Sequence, residues 1–326
     1  MYEAFYGFSE KPFSILPDPS FLYLSHKHRT ALDLLEYGLM NQAGFNVITG
    51  EIGTGKTTLI RYVLSRLDQD VTVGLISNTH RSFGELMQWI LFAFRLEHRG
   101  KQKVEMFQDF LDFLVEQYAQ RKRTLLIVDE AQNMSTDTLE ELRMLSNVNA
   151  DKDQVLQVIL VGQAGLRATL RKREMEQFAQ RIAVDYHLEP LDLQETQAYV
   201  YHRVKIAGAD GARLFDLDAC HAIYDHSQGV PRLINLLCDT ALVYGFAEQK
   251  PQIDARIVED VARDKLKGGI FPSQKNKTPA GTIDSRTYDA YRSTLPLDEE
   301  SYASDMDLRT RGIDPGAARG REKGRK

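Results

Sequence analysis

The sequence predicts an α/β fold, a parallel sheet covered by helices on both faces, followed by a small helical domain and a polar tail. Three observations carry this reading. Strand-length apolar runs alternate with helix-period segments as far as Leu188, the strands stop after Pro190, and from Gly268 onward Gly, Ser, Thr, Pro, Asp and Arg replace the large aliphatics. The boundaries fall at residues 1–190, 191–267 and 268–326.

Five runs read as strands: Phe45 to Thr49, Val71 to Ser77, Leu125 to Val128, Val155 to Val161 and Ile182 to Leu188. Each is about strand length and dominated by β-branched residues and leucine, the composition of strands buried on both faces. Helical segments separate them at Lys56 to Leu67, Ser82 to Leu96, Val104 to Gln120 and Thr136 to Val148. Such alternation implies crossover connections and therefore parallel strands. Beyond Pro190, Leu193, Gln197, Val200, Val204 and Ala207 mark one helix face, and helices are expected at Asp218 to Asp225, Pro231 to Phe246 and Ala255 to Lys265. The tail cannot bury enough apolar surface to offset its ordering entropy, so disorder is expected there, with a basic tip.

At 326 residues the chain has room for two domains with their own cores. It is 43% hydrophobic and 27% charged with a formal net charge of -5, which gives no whole-chain attraction to nucleic acid. The two cysteines, Cys220 and Cys238, lack metal-ligand spacing and read as packing residues in a reducing compartment. Residues 1–10 hold no secretory signal, and the most apolar window, Leu86 to Phe94, is far shorter than the roughly 18 to 20 residues that span a bilayer. A cytoplasmic chain is expected.

The chemistry is concentrated in two segments. Gly50-Glu51-Ile52-Gly53-Thr54-Gly55-Lys56-Thr57 matches G-x-x-x-x-G-K-[ST] between an apolar strand and a helix. Glycines let the loop turn its backbone N–H groups inward onto phosphate oxygens, and the helix adds its positive end. Lys56 is expected on the β- and γ-phosphates of ATP, Thr57 on Mg²⁺, and Thr58 within the same cradle. In Leu125-Leu126-Ile127-Val128-Asp129-Glu130 the carboxylates stand at the C-terminal end of a buried strand, the edge where parallel sheets bind ligands. Asp129 is expected to hold Mg²⁺ and Glu130 to orient and deprotonate the attacking water. Gln163, ending the next strand, reads either as a reporter on the γ-phosphate or as a turn residue. Asn78 reads as a turn residue or as a group that holds Glu130.

Gln228-Gly229-Val230-Pro231-Arg232 raises a separate question. Pro231 suits the first helical turn, but Arg232 puts a cation where exposed N–H groups already carry partial positive charge. The bound triphosphate is one candidate for the offsetting anion; an ion pair with Asp225 is the alternative.

Taken in order, these motifs resemble those of the AAA+ ATPases, and within them the general secretion pathway protein A (ExeA-type) ATPases with their exopolysaccharide- and pilus-cluster relatives. Further matches are Tyr2 to Phe8, Lys11-Pro12-Phe13, Pro17-Asp18-Pro19, Tyr23-Leu24-Ser25, Val161-Gly162-Gln163, Gln180-Arg181-Ile182, Leu188 to Leu191 and Gly229 to Arg232. The resemblance covers about residues 1–267. It implies a P-loop NTPase with a five-stranded parallel sheet in order 5-1-4-3-2 and a helical lid. It makes Gln163 sensor one, Arg232 sensor two and Arg181 the arginine finger acting on a neighbouring subunit, with Arg167, Arg171 and Arg173 as other candidates. Phe8, Pro12 and Phe13, in the segment 1–25, look like an adenine-side wall or a staple onto the core. Longer relatives continue into a membrane span and a periplasmic domain, whereas this chain is expected to reach a membrane only through a partner.

The resulting expectation is an Mg²⁺-dependent ATPase that forms a homo-oligomer, a ring or an ATP-induced assembly, and works with protein components of a secretion or polysaccharide export system, cytoplasmic or peripheral to the inner membrane. A DNA-associated AAA+ protein, using Arg167, Arg171, Lys172 and Arg173 on phosphates, is the second reading and is not favoured. A nucleotide-gated scaffold that seldom hydrolyses is the third. The Asp129-Glu130-Ala131-Gln132 string also fits helicases, but the helical domain from 191 to 267 is too small for a second α/β sheet.

Overall fold

In the computed structural model the strands β1 (Phe45–Gly50), β2 (Val71–Ile76), β3 (Arg123–Val128), β4 (Leu156–Gly162) and β5 (Ile182–Leu188) form one parallel sheet in order β2-β3-β4-β1-β5. This is the order the resemblance implies, read from the other edge. The structure describes residues 1–77, 85–150 and 153–268. Asn78, the first three residues of the helix expected from Ser82 and the tail from 269 lie outside them.

Alternation along the strands explains both layers, because successive side chains leave a strand on opposite faces. Leu126, Val128, Val158 and Leu160 share one apolar cluster with α3 (Leu86–Ala93), α4 (Lys103–Ala119), α5 (Thr136–Leu145) and α6 (Ala164–Leu170). Leu125, Ile127, Ile159 and Val161 share the other with α1 (His26–Met40) and α2 (Lys56–Ser65). With both faces covered, no polar stripe marks these strands in sequence.

Four longer helices follow: α7 (Leu193–Ile206), α8 (Leu217–Ser227), α9 (Pro231–Ala247) and α10 (Ala255–Lys267). Asp192, Asp216 and Asp254 accept backbone N–H groups at the starts of α7, α8 and α10, the N-cap role that suits a short acceptor side chain. Their core also takes in the beginning of the chain: Tyr2, Phe8, Phe13 and Phe21 are buried among these helices. Ser9 N donates to Ala207 O at 2.8 Å and the Tyr6 hydroxyl to Lys250 O at 3.1 Å. All the described residues fall within one compact unit.

Sheet and helical layers are joined where two short motifs meet. Leu191 N donates to Gly229 O at 2.9 Å, and a Cβ on Gly229 would stand 1.8 Å from the Leu191 carbonyl oxygen. With φ at 70° as well, only glycine fits there.

Candidate functional site

The sheet order brings the chemistry together. Strands β3, β4 and β1 are neighbours, so Asp129 and Glu130, Gln163, and the loop after Gly50 leave the same edge side by side. The loop turns on Gly53 and Gly55, at φ of 85° and 97°. Among the described residues no group accepts the backbone N–H of Gly53, Gly55, Lys56, Thr57 or Thr58. Unpaired donors converging at a helix N-terminus make an anion cradle.

Lys56 is only 8% exposed, and its ammonium donates to the carbonyls of Gly50 at 2.9 Å and Glu51 at 2.8 Å. Burial pushes its pKa below the ordinary lysine value, while the charges of Glu130, Asp129 and Glu51 act the other way. Thr54 is buried and donates its hydroxyl to Glu51 O at 3.0 Å, which closes the turn from within.

Asp129 extends β3 by one residue, its N–H donating to Ile76 O at 2.8 Å. Its carboxylate accepts from the Thr57 hydroxyl at 3.0 Å and from Glu130 N at 2.9 Å. Thr57 and Asp129 thus present hard oxygen donors at one point, and no group of three or more metal-ligating side chains exists among the described residues. Two oxygen ligands suit Mg²⁺ held jointly with phosphate better than a cage made by protein alone.

Glu130 sits in the left-handed region at φ 55°, unusual for a residue with a side chain and the kind of local strain found at functional sites. One of its carboxylate oxygens accepts from the Gln132 amide and from the Gln163 amide at 3.2 Å. Gln132 also accepts the Gln163 backbone N–H at 2.9 Å through its carbonyl oxygen. Gln132 and Gln163 together therefore tie the β3 and β4 loops to each other. Sequence reading passes over Gln132 except as part of the Asp-Glu-Ala-Gln string; its position two residues beyond Glu130, on the 3-10 turn Ala131–Asn133, is the signal that identifies it.

A cavity of about 210 Å³ opens beside the loop, and Ile52, Gly53, Gly55, Lys56, Thr57, Thr58, Glu130, Gln163 and Arg232 line it. Its far wall is not Phe8, Pro12 and Phe13. Phe8 and Phe13 are buried in the helical core, Phe13 edge-on to Phe215 at 5.8 Å, and the Pro12 carbonyl accepts from Arg203. The next stretch of chain, Ser14 to Asp18 with Phe21 to Tyr23, lines the cavity opposite Tyr199, Arg203 and Asn235. Phe8 and Phe13 thus serve as the staple onto the core, and the residues that follow them, among them the exposed Ile15 and Leu16, face the opening.

Arg232 is exposed at the cavity and makes no ion pair with Asp225. Arg181 lies outside the cavity lining, half-buried, with its guanidinium donating to Ser146 Oγ at 3.2 Å. Of the other basic candidates, Arg167 pairs with Asp185 at 3.3 Å and Lys172 with Glu174 at 3.7 Å. Their charge is partly neutralised within the chain.

An AAA domain model matches residues 39–170. Over 254 residues the chain is 41% identical to general secretion pathway protein A of Aeromonas hydrophila, an alignment that covers 78% of this chain and 46% of that protein. The chain thus spans about half the length of the curated relative it matches. Among solved structures it is similar to the ORC2 protein of Aeropyrum pernix in its ADPNP–ADP complexes, at TM-score 0.59 and 16% identity over 87% of this chain and 75% of that one. It is also similar to a Walker-type ATPase of Pyrococcus abyssi, at TM-score 0.56 and 16% identity over 87% of this chain and 80% of that one. At such identities the structural likeness shows the fold alone.

Proposed function

The chain belongs to the AAA-type P-loop family of general secretion pathway protein A, and from that premise we propose that it binds ATP with Mg²⁺ and hydrolyses it to assemble or energise a secretion or exopolysaccharide export system. The observation that carries the catalytic part is the convergence at one sheet edge, beside one cavity, of an unpaired N–H cradle, the Thr57–Asp129 oxygen pair and the Glu130 carboxylate. The triphosphate lies on the cradle with Lys56 neutralising charge, and Mg²⁺, which supplies electrostatic stabilisation of the phosphates, is held by Thr57 and Asp129. Glu130 takes the proton of the attacking water, oriented for the task by Gln132 and Gln163. Arg232 reaches the phosphates from the first turn of α9, and Arg181 completes the site of a neighbouring copy.

The export role and its partner proteins rest on the relative's name and its 41% identity. Among the described residues no helix is long and apolar enough to cross a membrane, which is compatible with work at the inner membrane through a partner.

Multiple-turnover ATP hydrolysis by wild type and Glu130→Gln, at several protein concentrations, tests the reading. Mg²⁺-dependent turnover that rises per molecule with concentration and is lost in Glu130→Gln is expected. ATP binding without turnover at any concentration would leave the nucleotide-gated scaffold as the better account.

A further inference from the structure

His28 is 3% exposed, on the first turn of α1, and takes no part in the proposed hydrolysis. Its Nε2 lies 3.1 Å from the carbonyl oxygen of Thr54, inside the phosphate loop. A carbonyl only accepts, so Nε2 carries the hydrogen and Nδ1 is the bare nitrogen. Nδ1 stands 2.8 Å from Ser25 Oγ, whose hydroxyl donates to it while the same oxygen accepts the His28 backbone N–H at 3.3 Å. Ser25 thereby fixes both the start of the helix and the tautomer of the ring. The loop is shaped to admit the imidazole: a Cβ on Gly55 would stand 3.1 Å from Nε2.

In a trans peptide the carbonyl and the following N–H point in opposite directions. With the Thr54 carbonyl drawn onto the imidazole, the N–H of Gly55 is turned away from it and takes no acceptor among the described residues. We propose that His28 is a positioning residue for phosphate binding, which sets the plane of the Thr54–Gly55 peptide so that the Gly55 N–H is held ready for a phosphate oxygen. This rests on the reading of the loop as a nucleotide cradle. Burial favours a neutral ring by lowering the histidine pKa, against the Thr54 hydrogen bond, which favours the charged form; the charges facing it, Glu195 and Lys27, act in opposite senses. The link runs from the Tyr23-Leu24-Ser25 motif through one side chain into the loop, so motifs far apart in sequence share one hydrogen-bond chain.

Titration calorimetry of the full chain with ADP and with ATP tests this in wild type, His28→Leu and His28→Gln. His28→Leu removes the donor and should weaken both nucleotides about tenfold, the scale of one well-placed hydrogen bond. His28→Gln, whose amide restores a donor, should recover most of the loss, whereas mere filling of the core would favour leucine. Affinity for His28→Leu within twofold of wild type, or His28→Gln as weak as His28→Leu, overturns the inference. Should His28→Leu fail to fold, ¹⁵N spectra of the wild-type imidazole, assigned by loss of the signal in His28→Gln, decide it: a protonated Nε2 is expected and a protonated Nδ1 overturns it. Wild type that binds neither nucleotide sinks the reading of the loop itself, an outcome distinct from a variant that binds as wild type does.

Discussion

The backbone N–H of Arg232 donates to the carbonyl of Gly53 at 3.1 Å, so the first turn of α9 is bonded to the phosphate loop. This eases the conflict that Arg232 poses in sequence. One of the orphan donors that make a helix start positive has a protein acceptor here, and the guanidinium is left exposed at the cavity. The bond uses only main chain, so the contact between loop and helix can be separated experimentally from the charge.

Gly53→Ala should break the contact. A Cβ there would stand 2.6 Å from Arg232 Cβ and 3.2 Å from Val230 Cγ1, and φ is 85°. Strain of about 1–3 kcal/mol is expected, with the helix start forced off the loop. Arg232→Ala leaves the Gly53 bond in place, so it should fold normally and lose ATP turnover. Urea unfolding with steady-state kinetics on both variants separates the effects. If Arg232→Ala kept wild-type kcat and KM, the arginine would have no part in the site.

Gln132→Ala removes two of the three hydrogen bonds in the network that joins the β3 and β4 loops, without touching the cradle. It should lower kcat about tenfold while the ATP dissociation constant stays put, because only the orientation of Glu130 and Gln163 is lost. Glu130→Gln removes the base and should cost about 10²–10⁴ in kcat. Equal loss of kcat and affinity in Gln132→Ala would mean that the residue supports the fold of the site rather than the position of the carboxylate.

The sheet and the phosphate loop were legible because each rests on local pattern: buried strands announce themselves by apolar runs, and the loop by glycines at fixed spacing before a lysine. What lay beyond reach depended on contacts distant in sequence. Helix α1 is not among the expected elements although Ala31, Leu32, Leu35 and Leu39 recur at helical spacing; what local pattern does not give is its seat on the sheet. Gly38 reads as a helix breaker but is needed, because its Cβ would stand 2.0 Å from Asn46 Oδ1 on β1. Phe8 and Phe13 illustrate a different limit. An aromatic ring looks the same in sequence whether it faces a ligand or a core, and here the core of α7–α10, assembled some 200 residues later, claims both.

Arg203 holds that assembly to the cavity wall. It is 6% exposed, donates to the carbonyls of Pro12 and, at 3.4 Å, Ser14 and to the Tyr199 hydroxyl at 3.0 Å, and its guanidinium lies 4.8 Å from the Phe21 ring centre. No carboxylate lies within ion-pair distance among the described residues, so backbone carbonyls and ring faces carry the charge. Lysine keeps the charge but has neither fork nor plane. Arg203→Lys should therefore cost about 2–3 kcal/mol in urea unfolding and loosen the Ser14 to Asp18 wall, seen as faster proteolysis there. A lysine variant as stable as wild type would show that charge alone suffices.

Acid should destabilise the protein before its carboxylates titrate. Burial lowers the pKa of both His28 and His202 below the ordinary histidine value. Between that value, about 6.5, and the lower folded-state value, the unfolded chain takes up a proton that the folded chain refuses, so stability rises with pH across this window and falls as acid is added. Above about pH 7 both states are neutral and the contribution is flat. For His28 the slope is at most about 1.4 kcal/mol per pH unit; His202, more exposed, contributes less. Asp18 and Asp254 have pKa values shifted down instead, so their contribution is lost only at lower pH, and unfolding midpoints between pH 5 and 8 isolate the histidines. His28→Gln should flatten the acid side of this profile and leave the neutral side unchanged. A wild-type midpoint constant from pH 8 to 5 would mean that His28 protonates in place, and the Thr54 carbonyl would then be held by a cation.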